Sequence, residues 1–286
     1  MKCQFTLTVS EGKRLIAKGI ASLPSLRKAL DGGLILLKGG TTVSALSEEL
    51  CGRPLRISGR ITPRGTVSSG SSDVEDAHSI LLRKGVPEKA DGRLAEIGRE
   101  MGPDDVAVCG ANLVDHDGNA VMMAGRDLCG EPGSVIPSLE SEGVLCMVAA
   151  GLEKFSPYPV RESCHFAGRK SSSWAMGMAV GLVPVPGRVF SEMDALLALG
   201  ADRCMLVGRG GICGAEGAST FVVEGDARRL KELLKLVLSL KGAEESGSRS
   251  SLTECIHCGP NRTTHLACIY GGCAEEEGTW KGVSVR

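Results

Sequence analysis

Leu34-Ile35-Leu36-Leu37-Lys38-Gly39-Gly40-Thr41-Thr42-Val43 is the stretch that decides the fold. Four aliphatic side chains in a row leave no polar face, so the run reads as a strand buried on both sides, as in a parallel sheet. Two glycines and two threonines follow, and then an amphipathic segment from about Val43 to Leu50 that reads as a helix. A strand, a Gly-Thr loop and a helix make the repeating unit of an α/β protein. The loop offers backbone amides, two hydroxyls and the positive end of a helix dipole, all of which suit an anion. Gly39, Gly40, Thr41 and Thr42 are therefore candidate ligand-binding residues, with a plain tight βα turn as the alternative. The loop lacks the Gly-Lys-Ser/Thr ending of a Walker phosphate loop.

Outward from this unit, the pattern repeats. Before it, Ser10 reads as the N-cap of a helix whose apolar face is Leu15, Ile16, Gly19, Ile20 and Leu23, and a short helix follows Pro24. After it come a helix over 91–101, a strand over 105–109, a turn centred on His116-Asp117-Gly118 and a strand over 144–150. The second half reads as strand 189–190, a helix capped by Ser191, strand 203–207, a Gly-rich loop over 208–217, strand 220–224 and a long helix capped by Asp226. The alternation predicts an α/β fold, a mainly parallel Rossmann-like sheet with helices on both faces. Residues 1–241 form the expected α/β ligand-binding domain, 242–252 a linker rich in Gly, Ser and Glu, and 253–286 a Cys-rich tail.

The 286 residues are 42% hydrophobic, enough for a large core, yet only 3% are aromatic, so that core must be aliphatic. With 33 basic and 34 acidic residues and a net charge of −1, there is no basic excess or stripe to hold a phosphate backbone, which argues against nucleic acid as a partner. The start of the chain lacks the apolar run of a signal peptide, and the most apolar stretch, 174–185, is too short for a membrane span. The expected location is the cytoplasm, with no membrane partner.

Of 12 cysteines, eight are scattered singly, several of them in strand-like runs where a thiol packs as a small hydrophobe. The other four, Cys255, Cys258, Cys268 and Cys273, follow C-x2-C-x9-C-x4-C. The opening pair followed by Gly259 has the form of a metal knuckle, and four thiolates close a tetrahedral site, with His265 able to replace one. Zinc is the leading expectation and an iron–sulfur cluster the competitor, since it uses the same donors. A redox pair or unused thiols is the plain alternative.

Lys38-Gly39-Gly40-Thr41-Thr42 and the Gly110-to-Ala120 stretch, with its Asp115-His116-Asp117-Gly118-Asn119 turn, resemble the superfamily of ribose-5-phosphate isomerase, glucosamine-6-phosphate deaminase and the CoA transferases. The likeness spreads over residues 10–225 through short motifs; the tail lies outside it. The resemblance implies that the first Gly-Thr loop holds phosphate and that the 208–217 loop, with Gly210 and Gly211, is a second ligand loop. The Asp/Lys acid–base set of the isomerase and the Glu-Asn-Gly stretch of the transferases are missing. Glu216, in a Gly-rich loop after a strand, is the catalytic candidate, Glu153 a weaker one, and either is equally read as a loop carboxylate. Arg60 and Arg64 are candidates to clamp an anion, although surface arginines are common; His78, His116 and His165 stand alone.

Two functions compete. One is an enzyme, an isomerase or CoA transferase, acting on a small anionic metabolite such as a sugar phosphate or CoA ester. The other is a non-catalytic ligand- or redox-sensing protein on the same fold, favoured by the missing acid–base set. The sequence does not fix the assembly state; a homodimer is carried as the expectation because dimers are common.

Overall fold

The computed structural model describes residues 1–69, 75–253 and 265–271. In chain order its elements begin with β1 (Lys2–Leu7), α1 (Val9–Ser22), α2 (Pro24–Gly32), β2 (Leu34–Lys38) and α3 (Thr41–Cys51). A hairpin, β3 (Gly59–Thr62) and β4 (Gly65–Ser68), precedes β5 (Ser79–Arg83), β6 (Val86–Lys89) and α4 (Leu94–Glu100). Next come β7 (Val106–Gly110), β8 (Leu113–Val114), β9 (Ala120–Ala124), α5 (Ile136–Ser141), β10 (Leu145–Ala149) and α6 (Val160–Phe166). The last are β11 (Gly181–Val185), β12 (Arg188–Phe190), α7 (Glu192–Ala198), β13 (Arg203–Gly210), β14 (Ala218–Glu224) and α8 (Ala227–Ser239).

The protein is a mixed α/β structure built on a six-stranded sheet in the order β12-β10-β7-β2-β5-β6. Its first four strands are parallel to one another, whereas β5 runs antiparallel to β2 and β6 antiparallel to β5. The direction of β6 follows from the Lys84-Gly85 turn, where both residues have positive φ, 47° and 76°, the twist of a two-residue hairpin. Alternation along the strands confirms burial on both faces. Ile35, Leu37, Val106, Val108, Met147 and Ala149 enter one core, while Leu34, Leu36, Ala107, Cys109, Cys146 and Val148 enter the other. Helices α1, α3 and α7 cover the first face; α4, α5 and strand β9 cover the second.

Strands β13 and β14, expected to extend a parallel sheet, instead form a separate antiparallel sheet with β1 in the order β1-β14-β13. The reason is topological. A parallel crossover needs a dozen or more residues, usually a helix, and the short Gly-rich connection between these strands holds none. Phe221 and Val223 of β14 join Leu230, Leu233 and Val237 of α8 in the first core.

Helix α1 begins two residues earlier than Ser10 would place it. Thr8 is the N-cap, and its hydroxyl accepts from the Glu11 amide while the Glu11 carboxylate accepts from the Thr8 amide, a reciprocal capping box. Ser191 and Asp194 form the same box on α7, and Asp226 caps α8, both as the sequence indicates. The 242–252 stretch is bonded to the body along most of its length. Lys13 pairs with Glu245 at 2.6 Å, the Ser246 hydroxyl donates to Glu48 and shares a hydrogen bond with the Ser44 hydroxyl, and Ser251 accepts from the Ile57 amide. Of the expected tail knuckle, Cys255, Cys258 and Cys273 lie outside the described residues. Cys268 is buried in a strand-like bridge with Ala175, and Tyr270 donates to the Arg64 carbonyl beneath the Arg64 guanidinium. Cys3, Cys51, Cys109, Cys129, Cys146, Cys164, Cys204 and Cys213 are free thiols. Burial pushes the thiols of Cys146 and Cys204 up to about 12 and about 11, which makes them inert packing groups.

Helix α1 crosses α7 at Gly19, where an added Cβ would meet the Ala195 Cβ at 2.6 Å and its Cα at 2.7 Å. Gly19→Ala should therefore destabilise by about 1–2 kcal/mol net, because overpacking outweighs the gain of about 1 kcal/mol in helix propensity. Urea unfolding measures this; a variant more stable than wild type would show that the two helices separate easily.

Candidate functional site

The four parallel strands end on one edge, and ligands of open α/β sheets bind outside such carboxyl ends. At the end of β2 the chain turns through Gly39 and Gly40, with φ of 50° and 90°. The His78 ring lies against Gly39, where a Cβ would approach its Cε1 to 2.3 Å, so this position admits only glycine. Helix α3 then starts on Gly40 with no side chain capping it, which leaves its first amides without an intrahelical acceptor. Thr42 is buried and its Oγ1 has no partner among the described residues. Gly40 also faces Gly110 at the end of β7, so two strand ends approach each other here without side chains.

Two further polar groups belong to this edge. Lys38 is 5% exposed, and among the described residues the hydrogen-bond partner of its ammonium is the Met122 thioether at 3.4 Å. A buried charge answered by a weak acceptor costs stability. His78 is pushed down to about 4: burial disfavours its charge, as do Arg56 and Lys38, against the opposing pull of Asp91. The imidazole is thus neutral at physiological pH, with Nδ1 3.2 Å from the Ser79 hydroxyl. The Asp91 carboxylate fixes this corner by accepting from the His78 and Ser79 amides at 2.8 and 2.9 Å.

Further along the same edge, the ends of β10 and β12 bring two carboxylates together. A side chain on Gly151 would lie 2.0 Å from Glu153 Oε2 and 2.8 Å from Glu192 Oε1, and one on Gly12 would lie 2.7 Å from Glu192 Oε1. The two acids converge over glycines that leave them room. Glu192 is 3% exposed and accepts from the Leu152 amide at 2.9 Å, while Glu153 Oε1 is buried without a partner among the described residues. Burial, and then the neighbouring Glu153, push Glu192 up to about 7. The adjacent Lys154 amine is pushed down by burial. A carboxyl that holds its proton to neutrality beside a second carboxyl is the arrangement of an acid–base pair. Glu153 was legible as a weak candidate, but Glu192 was hidden at a helix-cap position, and only the approach of Gly12 and Gly151 exposes it.

The remaining sequence candidates lie elsewhere. Gly210, Gly211 and Glu216 sit on the exposed β13–β14 loop of the second sheet, where a Cβ on Gly211 would strike the Ala215 carbonyl oxygen at 2.1 Å. Those glycines are required by the turn itself. Asp115 accepts from the amides of Asp117, Asn119 and Val160 and from the Asn119 side chain, at 2.9 to 3.2 Å. Burial raises its carboxyl, but these donors outweigh it and hold the group below the ordinary value. The turn that resembles the transferase motif thus ties β8 and β9 to the start of α6. Arg60 donates to the carbonyls of Ile57 and Ser251, and Arg64 stacks on Tyr270, so both hold the C-terminal segment in place. His116 and His165 are exposed.

Glu192 carries a stability signature. A carboxyl whose folded value is raised binds its proton more tightly folded than unfolded, so stability falls as pH climbs from the ordinary 4.5 to about 7 and flattens above it. The loss amounts to about 3 kcal/mol. Glu192→Gln should flatten this slope and be the more stable protein at about pH 8 in urea unfolding; parallel pH profiles for both proteins would rule out the buried proton. Lys38→Met should likewise stabilise by about 1–2 kcal/mol, since it removes an unneutralised buried charge, and a loss of stability would mean that the ammonium has a stronger partner than Met122. Family models, curated proteins and solved structures offer no match to this chain.

Proposed function

We propose that this protein is an enzyme acting on a phosphate-bearing small molecule, a sugar phosphate or CoA ester, at the carboxyl edge of its parallel strands. The observation that carries the reading is the convergence of Glu153 and Glu192 on the same edge as the Gly39–Thr42 loop. Strands β2 and β10 are separated by β7 alone, so the anion loop and the acid pair lie two strand spacings apart, about 10 Å. A phosphorylated chain of a few carbons spans that gap. The loop amides and the Thr41 and Thr42 hydroxyls hold the anionic group, with Lys38 adding positive charge behind them. The ionised carboxylate of the pair takes a proton from the ligand and its protonated neighbour returns one, as an isomerisation or an acyl transfer requires.

The sensing alternative keeps the loop and leaves the acid pair idle. The C-terminal tail is assigned a zinc site, with an iron–sulfur cluster as the competing assignment, on the spacing of Cys255, Cys258, Cys268 and Cys273, where His265 is able to replace one thiolate. A homodimer and a cytoplasmic location belong to the same proposal.

A thermal-shift screen of phosphate-bearing metabolites on wild type, Gly40→Ala and Glu192→Gln tests the reading. The expected result is one ligand class that stabilises wild type and Glu192→Gln but not Gly40→Ala, with turnover reduced at least about 100-fold in Glu192→Gln. Binding without turnover in wild type would favour the sensor. The absence of any ligand that shifts wild type would sink both.

A further inference from the structure

Away from the acid pair, beside the loop that follows β9, lies a shallow, open surface cleft of about 690 Å³. Three cations reach it from two separate chain segments: Arg126 from the loop after β9, and Arg169 and Lys170 from the turn after α6. Against them stands one carboxylate, Asp127. Among the described residues none of the three cations forms an ion pair, unlike Arg83, Arg188 and Arg229, which pair with Glu100, Asp194 and Asp202. The cleft floor is apolar and comes from strand residues Ala124, Leu182 and Val183. The loop that shapes the wall is strained: Leu128 and Cys129 hold φ of 50° and 61°, although neither is glycine. Such conformations cost about 1 kcal/mol or more each and collect at ligand sites. Leu128 is 93% exposed, so no burial of its side chain offsets that cost.

We infer that this cleft is a binding site for an organic diphosphate, with the phosphates held by Arg126, Arg169 and Lys170 and the organic body lying on Ala124, Leu182 and Val183. Each chemical feature has its counterpart. Three cations less one carboxylate leave a surplus of two positive charges, more than a single carboxylate balances, and cations brought from two separate segments suit two linked phosphates better than one compact dianion. Guanidinium groups bind phosphate oxygens in pairs, and two of the three cations are arginines. An apolar floor gives nothing to free pyrophosphate but covers the flat or aliphatic part of a nucleotide-like molecule. The site is independent of the reading given to the Gly39–Thr42 loop. Its cations come from the connections of the β8-β9-β11 sheet rather than from the ends of the parallel strands.

Titration calorimetry of the full-length protein with ADP and with inorganic pyrophosphate, at low salt, tests the assignment. One ADP should bind per chain, at least about threefold tighter than pyrophosphate, and the affinity should fall at least tenfold in Arg126→Ser/Arg169→Ser. The exposed pair Arg126→Ser/Lys170→Ser should lose binding to a similar extent, and it serves if the first variant fails to fold. Gly40→Ala separates the two sites. ADP affinity kept in Gly40→Ala and lost in the arginine variants supports the cleft. Affinity lost in Gly40→Ala and kept in the arginine variants assigns the phosphate to the β2–α3 loop and overturns it. Pyrophosphate binding as tightly as ADP overturns the role given to the apolar floor, and no binding of either compound by wild type overturns the site.

Discussion

Helix α1 has to be buried on almost every side, and much of the structure follows from that requirement. It packs against α3 and α7 on the first face of the main sheet and meets β14 of the second sheet on its far side. Leu15, Ile16, Ala17 and Ile20 are each 2% exposed or less. A helix so enclosed cannot keep large side chains where it crosses a neighbour. Gly12 and Gly19 are seven residues apart and therefore on one face, and both turn toward α7, where Glu192 and Ala195 take the space they leave. The ionisable residues of the same helix need partners within the protein. Glu11, 2% exposed, accepts from Lys241 and the Gly242 amide, and Lys13 pairs with Glu245. These bonds draw the segment after α8 back across the body, which is why a stretch with the composition of a linker is fixed in place. For Glu11, burial raises the carboxyl, but Lys241 and the amides of Thr8 and Gly242 outweigh it and leave it ionised.

The acid pair is a by-product of the same enclosure, with one difference that matters. Glu11 meets an ammonium and two amides; Glu192 meets another carboxyl, with its own amide, the Leu152 amide and the more weakly acting Lys154 against it. Two glutamates that touch the same helix are thus driven in opposite directions. Glu192 is raised by burial first and by Glu153 second, whereas at Glu11 the Lys241 ammonium and two amides together outweigh burial.

How much of this was legible in the sequence depends on whether the signal was local. The β2–α3 unit was readable because an aliphatic run followed by glycines is a local pattern with one good structural answer. Strands β13 and β14 were readable as strands, but their direction and sheet were not, since periodicity says nothing about partners. The clue was the lack of any helical pattern over 208–217. Ser246, Ser248 and Ser251 read as linker residues because serine has the same letter whether it is solvated or donating to a buried backbone. Glu192 looked like an ordinary helix-start acid, and nothing near it in the chain announces that Gly12 and Gly151 will enclose it. Arg126 and Arg169 lie far apart in sequence, and only the pairing of β9 with β11 brings their loops to one cleft.

The ionisable groups on the carboxyl edge argue for function by what they cost. Lys38 holds a buried charge against a thioether, Thr42 a buried hydroxyl with no partner among the described residues, and Glu153 a buried carboxylate oxygen in the same condition. Each could be replaced by an apolar side chain of similar size, and each replacement would relieve a desolvation penalty of the order of 1–3 kcal/mol. A fold selected only for stability has no use for three such groups within a few strand spacings. Elsewhere the molecule shows that it can satisfy buried polar groups thoroughly: Asp115 has several donors, Asp91 two amides, and Ser251 accepts from one amide while donating to the Ser248 carbonyl. Thr42 and Glu153 lie where the parallel strands end, the place in such a sheet where helix starts, glycine loops and strand ends meet, although the buried Ser69 hydroxyl, away from that edge, is likewise without a partner among the described residues. Lys38, Thr42 and Glu153 are for that reason the groups on which the proposal of a ligand-binding edge rests.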